Sequence, residues 1–364
     1  MWLSLNETCF CEDFYTFCLR FSSCSRLCHI LCVEQPRVLS RNFAAFFLHI
    51  ADLSHSSFRT ALHGIGDASP DGSLVFNNQR YLKHLNHPYG VSFWLQAKCS
   101  QRPLALLHTF INGDTAQSPW RSTFGGIEWD PSIGAENLSM FLNQTHVELG
   151  RRGVRRLRVT NQPFDYDKSG NQLLADVLYK EGYIAEITEA NYHISVDKPL
   201  LVPRLHASER RRLRKCLHAG LRFGEESDPD LDKVHAFVSQ ARKRKGFPMS
   251  LDLAAFQRLF TDLPGVYRVF TVKKEETWAA LTVTVRINDR ILYNFYPADS
   301  EDFLTYSPTV LLTSELYELA YQEGYKLLDL GIATSGGVPN NGLMRFKERL
   351  GGVSSPRITY VKEL

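Results

Sequence analysis

The sequence predicts an α/β fold built from two similar halves. Strand-like and helix-like segments alternate from Gly72 to the C-terminus, which is typical of a mixed sheet flanked by helices. The order helix, strand, helix, strand occurs in the first half and returns about 170 residues later, with glycine following the helices. This long spacing indicates a duplicated domain rather than a short structural repeat.

Length and composition agree with two domains. The chain has 364 residues, of which 44% are hydrophobic and 22% charged, and its formal net charge is +3. A chain of this length forms about two domains and can bury large cores without disulfides or a metal. It contains no long uncharged, strongly apolar run, so we predict no membrane span.

The first half is predicted over residues 58–198 and the second over 199–364, because Pro199 and Pro203 bracket a short link between them. Apolar spacing in the first half predicts a helix, a strand hairpin, a helix, a strand, a helix and a further strand or strand pair. These segments are Asn77–Leu85, Val91–Lys98 with Pro103–Ile111, Ala135–Leu149, Arg156–Thr160, Gln172–Lys180 and Ile184–Val196.

The second half is predicted to hold two helices, three strands and then a helix, strand, helix and strand. These segments are Leu231–Lys245, Leu253–Phe260, Gly265–Val272, Thr277–Ile287, Arg290–Tyr296, Pro308–Tyr321, Lys326–Leu330, Asn341–Leu350 and Arg357–Val361. Asn288-Asp289 is predicted as a hairpin turn. Ser307 is predicted as an N-cap, with Pro308 at the first helical position.

The cysteines are concentrated near the N-terminus, where six of the eight lie within the first 32 residues. Cys24, Cys28 and Cys32 would share one face of a helix, but no C-x2-C pair accompanies them, so we predict no metal site. We expect residues 1–57 to lie outside the fold. The sparse thiols of residues 58–364 favour a cytoplasmic protein.

Segments of the second half resemble the Fem-like branch of the GNAT acyltransferase superfamily. They are Tyr306–Leu312, Gln322–Gly331 and Gly342–Gly352, and the last reads Gly-Leu-x-x-Phe-Lys-x-x-Leu-Gly-Gly. The basic segment Ser208–Gly220 is similar to the helix that opens the second domain in that family.

The resemblance extends by motif over residues 200–352 and by layout alone over 72–197. It implies two tandem GNAT-like domains, each a mixed, mostly antiparallel sheet flanked by helices, with the reaction in the second or between the two. It also implies an N-acyltransferase that uses acyl-CoA as co-substrate and holds no tightly bound cofactor. One departure is that Ala298–Pro308, which stands in place of the glycine-containing loop of GNAT enzymes, has no glycine.

Three residues of the motifs are candidates for catalysis. The resemblance implies that Lys347 lies at the reaction centre, where it stabilises transition-state charge or protonates the leaving group; a solvated helix lysine is the alternative. Phe346 would form a wall of the pocket or pack in a core. Asp329 would orient Lys347 or the substrate amine, or cap the loop that follows its strand.

The helix beginning at Pro308 is a candidate site for the phosphates of the acyl donor. Its free N–H groups and its dipole attract anions, and in GNAT folds the co-substrate binds after the preceding strand. We therefore predict Ser307 and Tyr296 as donor-binding residues and Tyr306 as a catalytic-site residue, with aromatic packing as the alternative for the two tyrosines.

Three basic clusters lie at residues 151–158, 204–222 and 242–245. Such clusters are usually solvated helix faces, but three of them in a chain of net charge +3 favour an anionic ligand. We include Arg211 and Arg345 as donor-binding candidates. Interleaved aromatic residues are missing from the clusters, so a dedicated nucleic-acid reader is disfavoured.

We interpret the chain as an acyltransferase that moves an acyl group from acyl-CoA to an amine. The acceptor would be a small molecule, a nucleotide-linked compound or a cell-envelope or polysaccharide precursor. No Gly-x-Ser-x-Gly motif is present, which favours direct attack over a covalent enzyme intermediate. The alternatives are a peptidoglycan-precursor ligase that uses aminoacyl-tRNA, and a non-catalytic module that binds anionic ligands. A tRNA partner is not favoured, because the long coiled-coil insertion of some Fem enzymes is missing, and the oligomeric state is left open.

Overall fold

The computed structural model describes residues 58–64, 73–85, 87–97 and 103–364. They form one large mixed sheet with helices against it and a separate two-stranded hairpin, so the predicted α/β class is confirmed. The expectations about residues 1–57 lie outside the described residues and stay predictions.

The described residues of the first half form seven strands and three helices. The strands are Phe58–Gly64 (β1), Gly90–Ala97 (β2), Pro103–Asn112 (β3), Thr115–Ser118 (β4), Ile127–Trp129 (β5), Arg156–Thr160 (β6) and Ile184–Ser195 (β7). The helices are Gln79–Leu85 (α1), Gly134–Arg151 (α2) and Lys168–Lys180 (α3). Helix α3 begins four residues before the predicted Gln172 because Asp167 caps it by accepting from Gly170 N at 3.1 Å.

The second half contains nine strands and five helices. The strands are Arg222–Glu226 (β8), Tyr267–Lys274 (β9), Thr277–Asn288 (β10), Ile291–Asn294 (β11), Ala298–Asp299 (β12), Leu327–Ile332 (β13), Thr334–Ser335 (β14), Val338–Pro339 (β15) and Val353–Glu363 (β16). The helices are Ala207–His218 (α4), Leu231–Arg244 (α5), Leu253–Asp262 (α6), Pro308–Gln322 (α7) and Asn341–Arg349 (α8).

The last strand of the chain lies inside the first half. The sheet runs β1-β2-β3-β4-β6-β16-β7-β13-β11-β10-β9-β8, with β5 beside β3 and β12 beside β10. Strand β16 pairs with β6 on one side and β7 on the other, and β7 pairs in turn with β13. The halves therefore exchange strands, and one sheet continues past the division predicted at Pro199. That division falls in the connection between β7 and α4 and stays a prediction.

Most predicted elements are confirmed within a few residues, and the deviations have local causes. Strand β8 was not predicted because Arg222–Glu226 is charged and lacks apolar alternation. It lies at the edge of the sheet, where charged strands are common. Ser307 does precede α7, but it has φ +58° and its side chain makes no capping hydrogen bond. Ser307 therefore turns the chain with a left-handed backbone instead of capping the helix through its hydroxyl.

Three apolar cores hold the sheet and helices together. One lies between the first-half strands and helices α2 and α3. A second packs helices α4 and α7 against β7 and β13. The third packs α5 and α6, together with first-half residues Leu74–Phe76 and Phe124, against β9 to β11. First-half side chains thus form part of a second-half core, which holds the two halves in one arrangement.

In the first half, the parallel strands β4 and β6 separate after Ser118 and form a fork. The backbone of Gly126 and Ile127 fills this fork. Gly126 N donates to Ser118 Oγ at 3.1 Å, and Ile127 N donates to Asn161 Oδ1 at 3.2 Å. Gly126 has φ +79°, and a Cβ there would lie 2.2 Å from Asn161 Oδ1 and 2.9 Å from Asn161 Cα. Only glycine fits this closure.

We expect Gly126→Ala to lower the free energy of unfolding by about 2–4 kcal/mol, because it combines a left-handed backbone with a clash against backbone. Gly113→Ala is the matched control, since Gly113 has φ +62° and open space around its Cβ position. The control should lose about 1 kcal/mol. Urea denaturation of both variants measures the difference, and equal losses would contradict the closure described above.

Candidate active site

The second parallel pair, β11 and β13, also opens into a fork, and side chains line it. Pairing ends at Tyr293 opposite Asp329, after which the chain following β11 bends toward β10. Strand β13 continues to Ile332 through an irregularity at Gly331, which has φ +74°. The Tyr293 ring lies so close that a Cβ at Gly331 would be 3.2 Å from its hydroxyl oxygen.

Asp329 is a buried carboxylate held at this fork by three neutral donors. It accepts from the Tyr166 hydroxyl at 2.5 Å, from Asn191 Nδ2 at 2.9 Å and from Gly331 N at 2.6 Å. Asp329 as a whole is 1% exposed. Burial, reinforced by Asp329, raises the pKa of Tyr166 well above its usual value, so the phenol remains a donor. Tyr166 and Asn191 come from the first half, so the two halves build this carboxylate site jointly.

Lys347 is the buried residue of the otherwise mostly exposed helix α8. Asn340 caps this helix by accepting from Leu343 N at 3.1 Å. The Lys347 ammonium donates to Gly331 O and Ile332 O, both at 2.8 Å, and lies 5.9 Å from the centre of the Tyr192 ring. It therefore lies against the end of β13, next to the fork.

Burial lowers the pKa of Lys347 to about 7, and the nearby Asp329 carboxylate partly opposes this shift. Desolvation disfavours the charged ammonium more than the two carbonyls and the carboxylate stabilise it. Near neutral pH the side chain can therefore exist as an ammonium or as a free amine. It can stabilise developing negative charge in the first form and accept a proton in the second.

A second feature lies at the N-terminus of α7. The half-buried Tyr306 ring has Lys215 Nζ at 5.3 Å and Lys274 Nζ at 5.8 Å from its centre. Lys215 also donates to Thr305 O at 2.7 Å. Arg211 is exposed one helical turn before Lys215 on α4, so α4 presents cations beside this helix end. Tyr306, Ser307 and Arg211 are thus brought into one region.

The other predicted residues lie elsewhere. Tyr296 is buried in the core with α5 and α6, where its hydroxyl bonds Ser250 and Arg242 lies 5.5 Å from its ring centre. Phe346 is partly buried and packs against the core of α4 and α7. Arg345 is exposed on α8, roughly opposite Lys347 around the helix.

Three residues around the fork were not predicted from the sequence. Tyr166 lies in a short 3-10 turn, Asn191 in the middle of β7 and Arg357 in β16. No local pattern marks these positions, because the strand exchange alone brings them to Asp329. Strand β7 carries several other polar residues, so the polar character of Asn191 gave no distinctive signal.

Comparison with known proteins classifies the chain. Residues 205–348 match the family described as acetyltransferase (GNAT) domain, so this part of the chain belongs to the GNAT acetyltransferases. No curated protein sequence matches the chain. This match covers less than half of the chain, and it agrees with the GNAT motifs that the sequence shows in the same segment.

Solved structures support the fold. FemX matches with a TM-score of 0.63 and 14% identity, covering 81% of this chain and 93% of FemX. The C-terminal domain of a protein named as a lysylphosphatidylglycerol synthetase from Agrobacterium fabrum matches with a TM-score of 0.51 and 16% identity, covering 72% and 82%. A conserved protein of unknown function from Bacteroides thetaiotaomicron matches with a TM-score of 0.51 and 12% identity, covering 75% and 86%. At these identities the likeness concerns the fold alone.

Among the residues that the structure describes, no helix is both long and apolar enough to span a bilayer. In the same part of the chain, no group of three or more His, Cys, Asp or Glu side chains is arranged to hold a metal ion.

The lowered pKa of Lys347 predicts a pH-dependent stability. Because the folded-state pKa is about 7 and the ordinary value is 10.5, unfolding takes up a proton between these pH values. The wild type should therefore gain stability over Lys347→Met as pH rises from about 7 to 9, by up to about 1.4 kcal/mol per pH unit. Urea denaturation at three pH values tests this. Lys326→Met, at an exposed lysine, should show the same pH dependence of the free energy of unfolding as the wild type. If Lys347→Met also shows the wild-type pH dependence, the lowered pKa of Lys347 is refuted.

Proposed function

We propose that the protein transfers an acyl group from acyl-CoA to the amine of a small molecule or of a nucleotide-linked or cell-envelope precursor. The observation that carries this proposal is Lys347, a buried lysine with a pKa of about 7 at the end of β13, next to the fork. Transfer to an amine needs a group that manages protons and charge at neutral pH, and such a lysine does both. As the sparse thiols indicate, we assign the reaction to the cytoplasm.

The region before α7 supports a phosphate-bearing donor. Lys215 and Lys274 converge on Tyr306 beside the helix N-terminus, where N–H groups and the dipole favour anions. The loop has no glycine, yet Ser307 adopts the left-handed conformation that glycine ordinarily supplies. These residues therefore fit the phosphates of CoA, which would bring the thioester when bound.

In the proposed mechanism the acceptor amine attacks the thioester carbonyl directly. Lys347, as a free amine, takes the proton that the attacking nitrogen loses and passes it to the leaving thiolate, so that the products are the amide and the CoA thiol; as an ammonium it stabilises the negative charge that develops. The Asp329 carboxylate favours the ammonium form. Cys216 is a poor nucleophile, since burial raises its pKa to about 11 and its thiol donates to Tyr306 O at 3.0 Å.

A second candidate function uses aminoacyl-tRNA as the donor. Helix α4 favours it, because Arg211 and Arg214 are exposed near the proposed phosphate site and would bind a larger polyanion as well as CoA. We rank it second, because the described helices include no long arm for gripping tRNA. A binding module without catalysis is the outcome if Lys347 proves dispensable.

Thermal-shift measurement against CoA, acetyl-CoA and UDP-linked amino sugars separates these functions. At a concentration of CoA about 100 times its Kd, the native state gains about 2.7 kcal/mol, which corresponds to a rise in Tm of roughly 5 °C. The Lys215→Met/Lys274→Met variant should lose most of this shift. A shift with UDP-sugars alone would favour the second candidate, and no shift with CoA would contradict an acyl-CoA donor.

Lys347→Met tests the chemical step. We expect it to fold and to lower kcat by at least about 100-fold, because an uncharged side chain of similar size removes both proton transfer and charge stabilisation. The assay follows release of CoA thiol with a panel of amine acceptors, and circular dichroism controls for folding. Exposed Lys326→Met should keep wild-type turnover. A folded Lys347→Met variant with wild-type turnover would remove Lys347 from the mechanism.

A further inference from the structure

Arg357 is a buried cation without an anionic partner. It lies in β16, is 8% exposed, and its Nε is buried without a hydrogen-bond partner. Its cross-strand neighbour Glu189 is engaged elsewhere, since it accepts from the Thr334 hydroxyl and from Gly336 N at 2.9 Å. Within the described part of the chain, no carboxylate forms an ion pair with Arg357. A buried charge without a partner destabilises the fold, and an anionic ligand would offset this cost.

The surroundings of Arg357 are polar, and the facing Glu189 carboxylate directs its hydrogen bonds to the β14–β15 hairpin. By strand alternation and register, Arg357 lies on the same face of the sheet as Asn191 and Asp329. Its positive charge acts on the hydroxyls of Tyr166 and Tyr293, whose raised pKa values it partly offsets. Asp329 is already satisfied by its three neutral donors, so it leaves the guanidinium of Arg357 available.

Arg357 lies level with the ends of two other strands. In the register of the sheet, it lies beyond Thr160, the last residue of β6, and beyond Ile332, the last residue of β13, and these two strands run in opposite directions. The β14–β15 hairpin, whose turn Gly336-Gly337 is exposed, is held next to this position through Glu189.

We propose that Arg357 binds a carboxylate or phosphate group of the acyl acceptor. The identification of that ligand as the acceptor rests on the proposed function; the anion site itself does not. A guanidinium pairs with either group through two parallel N–H donors. Between His193, opposite Asp329, and Glu189, opposite Arg357, strand β7 advances four residues, or about 13 Å. The anionic group of the acceptor would thus bind on the same face of the sheet as Asp329, four β7 residues along the strand.

Calorimetric titration with inorganic pyrophosphate, and separately with succinate, tests the site and separates phosphate from carboxylate recognition. The full chain carries Lys215→Met and Lys274→Met in all variants, so that anions binding beside α7 contribute little. We expect Arg357→Met to raise the Kd of at least one probe tenfold or more, and Arg357→Lys to raise it about threefold. Arg258→Met, at an exposed arginine of α6, should leave the Kd unchanged.

The results separate this site from the proposed function. If neither probe binds, or if Arg357→Met and Arg357→Lys bind both probes as tightly as the parent, the anion site is refuted. If Arg357→Met does not fold, the Kd of Arg357→Lys is compared with that of the parent instead. Lys347→Met should keep the Arg357-dependent binding, so loss of the proposed catalytic role would leave the anion site standing.

Discussion

The exchange of strands between the two halves is the constraint on which the rest of the structure depends. Strand β16 closes the first-half sheet, while β7 closes the second-half sheet, so neither half completes its sheet alone. The long antiparallel pairing of β7 with β16 fixes the register of both strands. Register in turn decides which side chains face each other, because a shift of one residue would turn every side chain to the opposite face.

The site follows from that register. It brings Asn191 beside Asp329, while the turn that carries Tyr166 packs over the same face. The carboxylate is thereby buried yet satisfied by neutral donors. Lys347 approaches the end of β13 from α8 and is held by two carbonyls. Burial lowers the pKa of the Lys347 ammonium and the charge of Asp329 raises it in part, which leaves a pKa of about 7.

The sequence allowed some parts of this arrangement to be predicted and concealed others. Lys347 and Asp329 were predicted as candidate site residues because both lie within short sequence motifs that can be recognised without knowledge of the fold. Tyr166 and Asn191 were not, because their role depends on pairing between distant strands. Tyr296 was expected beside the α7 terminus from its position along the chain, yet its side chain enters the core of α5 and α6. Strand alternation places a side chain on one face or the other, and the sequence did not reveal which helices cover each face.

We conclude that burial next to the fork lets Lys347 titrate near neutral pH. Heteronuclear NMR of the lysine side chains, with the Lys347 signal assigned by its loss in Lys347→Met, measures this titration directly. We expect a midpoint near pH 7 for Lys347, and a lower midpoint in Asp329→Asn, because the carboxylate favours the ammonium. A Lys347 midpoint near the ordinary value of about 10.4, or one that Asp329→Asn leaves unchanged, would contradict it.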